Sequence, residues 1–253
     1  GLSFTKNFGV IVKHVVKRDG KVEPLQVEKI RKVTHSACEG FSCDPTELEM
    51  DSQIQFKPQM PTREIQSMLI KTAIEKVSTD TPDWQYVAAR LLLMDIHKDC
   101  SLNRGVKGSV YNGFYGFIKH ATELGIYSPK ILEGYSREEI NELQDYIKPE
   151  RDDLFNYAGL KTFSDRYMIK DHDGNSLELP QEAFMGVAMF IALAEDKDKR
   201  VHWAKQFYDV LSKFEVMTAT PTLANARRVH HQLSSCFILS VDDSLESIFD
   251  NVN

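Results

Sequence analysis

Apolar residues recur along most of the chain at helical spacing, and the clearest exception lies at its start. Residues 9–22 carry apolar, β-branched runs on either side of Arg18-Asp19-Gly20. An Asp-Gly pair between two such runs predicts a tight β-hairpin. Helical spacing then takes over. Val27, Ile30, Val33, Thr34 and Ala37 fall on one face, Glu28, Arg31 and Lys32 fall largely outside it, and Gly40 is placed to stop the helix. Asp44-Pro45-Thr46-Glu47 predicts a second start, with Asp44 as N-cap, proline in the first position and Glu47 closing a capping box. Thr62 is placed to cap a third helix, whose Ile65, Leu69, Ala73 and Val77 repeat every four residues. Thr81-Pro82 opens a fourth that runs through Leu93. The first hundred residues therefore read as a small β cap on a helical bundle.

The helical style continues to about residue 215. Ser136-Arg137-Glu138-Glu139 is a second capping box, and Pro180-Gln181-Glu182 leads into an apolar helix ending near Leu193. Asp171-His172-Asp173-Gly174-Asn175 is turn-rich and predicts a hairpin between Tyr167 and Leu179. Beyond 215, short apolar segments around Val216 and Cys236–Val241 are separated by small and polar residues, as at the opening of an α/β unit. The expected fold is mainly α with small β elements. Its expected divisions are a bundle with a β cap over 1–102, a helical domain over 103–215, and over 216–253 the first strands of an incomplete α/β barrel. A chain that ends inside such a unit would leave strand edges uncovered, so the sequence reads as a natural or truncated N-terminal part that needs a complementary C-terminal polypeptide.

Composition narrows the function classes. A hydrophobic share of 42% and a charged share of 27% are those of an ordinary globular protein. The formal charge of -6 argues against a broad nucleic-acid or membrane surface. No apolar run approaches the roughly 20 residues that span a bilayer, and no signal-peptide pattern opens the sequence. The expected compartment is the cytoplasm. Cys38, Cys43, Cys100 and Cys236 form no C-x-x-C pair, and His35 near the first two does not complete a zinc set. No metal site is expected in this chain, and His230-His231 is an isolated pair.

Chemistry concentrates at the two ends. Lys17 and Arg18 sit beside the Asp-Gly turn, with Lys29 one helical turn into the next element. Several such cations can share the oxygens of a triphosphate, although a solvated hairpin tip would look the same. The wider pattern is more specific. Lys17-Arg18-Asp19-Gly20, then Val27-Glu28-Lys29-Ile30, then Thr62 before a helix, then Pro82-Asp83-Trp84-Gln85-Tyr86-Val87-Ala88-Ala89-Arg90 resembles the ATP-cone domain over roughly residues 11–100. The resemblance is to the cone at the N-terminus of class I ribonucleotide reductase large subunits. It implies an allosteric activity site at which ATP activates and dATP switches the enzyme off. Lys17, Arg18, Lys29 and Lys98 would then contact phosphates, with Glu23 and Gln26 near the base or the cap and Thr62 at its helix start. Gln66 stands where the family commonly has a nucleotide-holding histidine, which puts strong dATP inhibition in doubt.

At the other end, Thr220-Pro221-Thr222-Leu223-Ala224-Asn225-Ala226 precedes Gln232-Leu233-Ser234-Ser235-Cys236. Hydroxyl residues beside a proline-fixed turn suit a phosphate, and Cys236 suits either a redox thiol or a packed core thiol. Asp243-Ser244-Leu245-Glu246 is by itself a helix-capping box. These segments resemble the same reductase family. The resemblance implies that Thr220, Ser234 and Ser235 receive the diphosphate of a ribonucleoside diphosphate. It makes Cys236 one member of the pair oxidised as the ribose 2′-hydroxyl leaves. It also gives Asp243, Ser244 and Leu245 to a specificity site for a deoxynucleoside triphosphate. The implied partners are the complementary C-terminal part, a radical-generating small subunit that carries the metal centre, thioredoxin or glutaredoxin as reductant, and a second large subunit. A non-enzymatic ATP-cone sensing module is the competing reading. The residues after 215 weigh against it.

Overall fold

A computed structural model describes residues 14–53, 57, 59–107, 110–215 and 224–229. The chain forms two compact units: residues up to Asp95 together with Phe155–Lys161, and Ile96–Leu154 together with the residues from Thr162 onward.

In the first unit the Asp-Gly turn produces the expected hairpin. Strands β1 (His14–Val16) and β2 (Val22–Pro24) pair antiparallel, Val15 opposite Glu23. Gly20 closes the turn at φ +87°, a conformation that costs glycine little and other residues more. A third strand was not foreseen. β3 (Met60–Pro61) pairs parallel to β1, giving the order β2-β1-β3. Helices α1 (Val27–Cys38), α2 (Pro45–Gln53) and α3 (Thr62–Glu75) complete the unit with the first half of α4 (Trp84–Arg104). Its core holds Val15, Ile30, Ala37, Leu48, Met60, Ile65, Leu69, Ala73, Trp84, Val87 and Leu91. Each large side chain buried here contributes about 1.5–3 kcal/mol.

Three boundary expectations are corrected. Asp44 does accept the Thr46 N–H at 2.9 Å, but Glu47 closes no box and pairs instead with Lys76 at 2.6 Å. Thr62 is the first helical residue and Pro61 the N-cap, so the threonine hydroxyl is available for another bond. The fourth helix begins at Trp84; before it Ser78 and Thr81 bond each other, and Thr81 also donates to the Lys76 carbonyl, in a turn of their own.

The second unit is helical: α5 (Phe114–Glu123), α6 (Pro129–Gly134), α7 (Arg137–Tyr146), α8 (Tyr157–Arg166, its first residues in the first unit), α9 (Pro180–Ala192) and α10 (Arg200–Ser212). Apolar α9 is buried over almost its whole length and packs along α10. The capping box at Ser136 forms as expected, its hydroxyl accepting from the Glu139 N–H at 3.1 Å and its N–H donating to the Glu139 carboxylate at 2.9 Å. The turn at 171–175 also forms, but the hairpin shrinks to one bridge between Lys170 and Ser176. Residues 224–229 join this unit through a bridge between Tyr127 and Arg228 and a bond from the Ser128 N–H to the Arg227 carbonyl at 2.6 Å. The strands expected around Val216 and Cys236–Val241 lie outside the described residues.

Candidate nucleotide-binding site

The hairpin brings its cations into a small set of carboxylates. Lys17 is half-buried with its ammonium 4.0 Å from Glu23 on β2. Arg18 pairs with Asp95 on α4, both side chains largely shielded. At the tip Lys21 lies 3.9 Å from Asp19. Thr62, freed from capping, donates its hydroxyl to the Val16 carbonyl at 2.8 Å, which fastens the start of α3 to the end of β1. Gln26 is the N-cap of α1 and makes no side-chain cap bond. Gln26 and Lys29 are exposed near that helix start. Turn, strand end and the start of α3 thus meet. Basic groups beside backbone N–H groups at helix N-termini form an arrangement that suits an anion.

Lys98 lies on α4, exposed and three residues beyond Asp95, among the residues of the second unit. Gln66 is buried, and its amide donates to the Leu91 carbonyl at 2.8 Å, linking α3 to α4. Asp95 escaped the sequence reading, although a lone carboxylate directly after Leu91-Leu92-Leu93-Met94 was a signal that it needed a partner.

The described cysteines are not chemically poised. Cys38, Cys43 and Cys100 are buried free thiols. Burial pushes the Cys38 thiol up to about 12 and raises the other two as well, against the lowering that a nucleophile needs. Cys100 donates its S–H to the Glu178 carbonyl at 3.5 Å. Among the described residues no group of three His, Cys, Asp or Glu side chains gathers to hold a metal ion, and no helix is long and apolar enough to cross a membrane.

The second unit holds closed polar networks. Arg104 meets Glu182 through two bonds of 2.7 and 3.2 Å. Arg227, fully buried, reaches the Glu178 carboxylate at 2.5 and 3.0 Å. Burial works against the Arg227 charge, but Glu178 outweighs it and holds the guanidinium above its ordinary pKa. Tyr111, Gln181 and Asp152 bond one another, and Tyr208 donates to Gln181 at 2.6 Å. Thr220, Ser234, Ser235, Cys236, Asp243, Ser244 and Leu245 lie outside the described residues.

Comparison with known proteins decides the family. Residues 13–99 match the ATP cone domain, and residues 153–231 match the ribonucleotide reductase, all-alpha domain. Across 239 residues, 94% of the chain, it is 46% identical to the ribonucleoside-diphosphate reductase subunit alpha of Helicobacter pylori. The chain belongs to the ribonucleotide reductase large-subunit family. It is also 41% identical over 191 residues, 76% of its length, to the ribonucleoside-diphosphate reductase subunit alpha of Treponema pallidum, and 32% identical over 241 residues, 92% of its length, to ribonucleoside-diphosphate reductase 1 subunit alpha of Escherichia coli. It spans 29%, 22% and 30% of those three relatives, less than a third of each. The cone match begins at the hairpin and ends on α4, so it contains Lys17, Arg18, Glu23, Thr62 and Asp95.

Proposed function

We propose that this chain is the N-terminal part of a ribonucleoside-diphosphate reductase large subunit, with an ATP/dATP site for allosteric control built on the Lys17–Arg18 hairpin and a share of the substrate and specificity sites. The observation that carries the reading is the placing of Lys17 and Arg18 beside the Thr62 bond that ties α3 to β1, all within the residues matched by the ATP cone. Lys17, Arg18 and Lys29 contact phosphate oxygens, joined by Lys98 from α4. Glu23 and Gln26 lie near the base or the cap, with Thr62 at its helix start. Gln66, tied to Leu91, does not reach for the nucleotide.

The proposal divides the chain into the cone (1–102), a helical domain (103–215) and the start of a barrel (216–253). In the last part Thr220, Ser234 and Ser235 bind the substrate diphosphate. Cys236 is one thiol of the reducing pair, and Asp243, Ser244 and Leu245 take a deoxynucleoside triphosphate that selects the substrate. The remaining chemistry comes from a C-terminal part of the large subunit, a radical-generating small subunit with its metal centre, and a thioredoxin or glutaredoxin. The all-alpha match over 153–231 favours this reading over a free-standing sensing module.

Calorimetry of ATP and dATP on the folded chain tests the effector site. Saturable binding that is lost in Lys17→Ala/Arg18→Ala supports it, and a folded chain that binds neither nucleotide removes it. Conversion of CDP to dCDP by the assembled enzyme, abolished by Cys236→Ser under thioredoxin, tests the redox assignment. Activity that survives that substitution would overturn it.

A further inference from the structure

We propose that Asp95 is a resident anion of the nucleotide site: it pairs with the Arg18 guanidinium, and a triphosphate must displace it. This rests on the reading of the Lys17–Arg18 hairpin as an effector site, and it adds a residue that sets the affinity of that site.

Each hairpin cation already faces a carboxylate, but the three carboxylates are not alike. Glu23 beside Lys17 and Asp19 beside Lys21 have side chains 42% and 48% exposed. Both can turn into water when phosphate arrives. Asp95 is 17% exposed and its partner Arg18 only 12%. Its backbone lies within α4, one turn beyond Leu91, whose carbonyl also receives the Gln66 amide. A charge on such a short, shielded side chain of a regular helix has little room to withdraw.

Two consequences follow from charge alone. Arg18 gains less from a phosphate than an unpaired guanidinium would, because one charge-assisted pair is exchanged for another. Asp95 then faces the incoming triphosphate as a like charge in a region where water screens it incompletely. Asp95→Asn keeps the side-chain shape and a hydrogen-bonding oxygen while removing the charge, so it should tighten ATP binding.

The experiment is titration of ATP into the full chain and its Asp95→Asn variant, with and without magnesium, after thermal melts establish that both are folded. Asp95→Ala serves as a second variant should the first fail to fold. The expected result is ATP affinity raised about tenfold in Asp95→Asn under both conditions, with the gain shrinking in added salt. Wild-type binding that is unchanged or weakened by Asp95→Asn overturns the inference and leaves the effector site standing. Weakening confined to the magnesium titration overturns it too, by making Asp95 a magnesium ligand. Absence of ATP binding to both proteins removes the effector site and this inference together.

Discussion

Removing the carboxylate of Glu178 should be among the most damaging single changes in the second unit. Arg227 and Glu178 are both fully buried, and the pair is joined by two bonds, Nε to Oε2 at 3.0 Å and Nη2 to Oε1 at 2.5 Å. Arg227 Nη2 also donates to the Tyr167 carbonyl at 3.0 Å. In Glu178→Ala that carbonyl remains while the carboxylate that accepts both of these bonds is gone, and a guanidinium cannot escape by losing its proton. Removing one partner of a buried ion pair costs about 3–5 kcal/mol. For a body of this size a kilocalorie moves the melting temperature by roughly 2–4 °C, so a fall of roughly 6–20 °C is expected at pH 7. Calorimetric melts of wild type and Glu178→Ala measure it. The decisive companion is Glu178→Leu/Arg227→Met, which removes both charges and keeps apolar volume. Because well-packed apolar replacements of buried pairs are often close to neutral, the double variant should melt above Glu178→Ala. A loss below about 1 kcal/mol in Glu178→Ala, or a double variant less stable than the single one, would refute the claim that breaking the buried Arg227–Glu178 pair sets the cost.

Three further outcomes follow from the same unit and from the thiols. A Cβ added at Gly186 would stand 2.5 Å from the Tyr127 hydroxyl and 2.7 Å from Arg227 Cδ. Gly186→Ala should therefore cost about 1–3 kcal/mol in denaturant titrations despite the better helix propensity of alanine. Burial raises the carboxyl pKa of Glu182 and Arg104 opposes that rise, with the net direction upward. A raised folded value means stability present below the ordinary carboxylate range and lost as pH climbs through the folded value. In Arg104→Gln the opposing cation is gone, so the melting-temperature deficit relative to wild type should be larger at pH 7.5 than at pH 4.5; equal deficits would count against it. Native alkylation at pH 8 should spare Cys38, Cys43 and Cys100, whose thiols are buried and held above their ordinary pKa, and should reach them after denaturation.

Local signals were read well and distant pairings were not. Amphipathic spacing located α1 and α3, and the Asp-Gly turn located the hairpin, because each rests on neighbours within one or two turns. β3 escaped because two residues, Met60 and Pro61, are too few to show alternation, and its place is set by pairing with Val15 and Val16 far upstream. Thr62 was misread by one position: a threonine beside a helix start carries the sequence mark of a cap even where Pro61 takes that role. The partner of Arg18 is 77 residues away, beyond any periodic signal. Glu178 and Glu182 stand four apart around the start of α9 and look like ordinary surface carboxylates. Only the arginines brought to them in three dimensions, Arg227 and Arg104, make their burial tolerable.

Those pairings separate two kinds of charge that composition counts alike. In the second unit Arg104, Arg227, Glu178 and Glu182 are closed off from water, and no ligand can exchange with a partner that water cannot reach. Their contribution is to fix which packing arrangement α9 and residues 224–229 adopt, since any shift would strand a charge. Around the hairpin the cations keep some contact with solvent, and Lys17 and Lys21 have carboxylate partners that solvent can take over. A phosphate can compete there because the pairs it breaks are worth little in water, typically about 0–1 kcal/mol each. Arg18 with Asp95 is the intermediate case, shielded enough to resist exchange and near enough to the hairpin surface to undergo it. If the hairpin is the effector site proposed above, neutralising Asp95 in that pair is the single substitution that should raise effector affinity most without disturbing the fold.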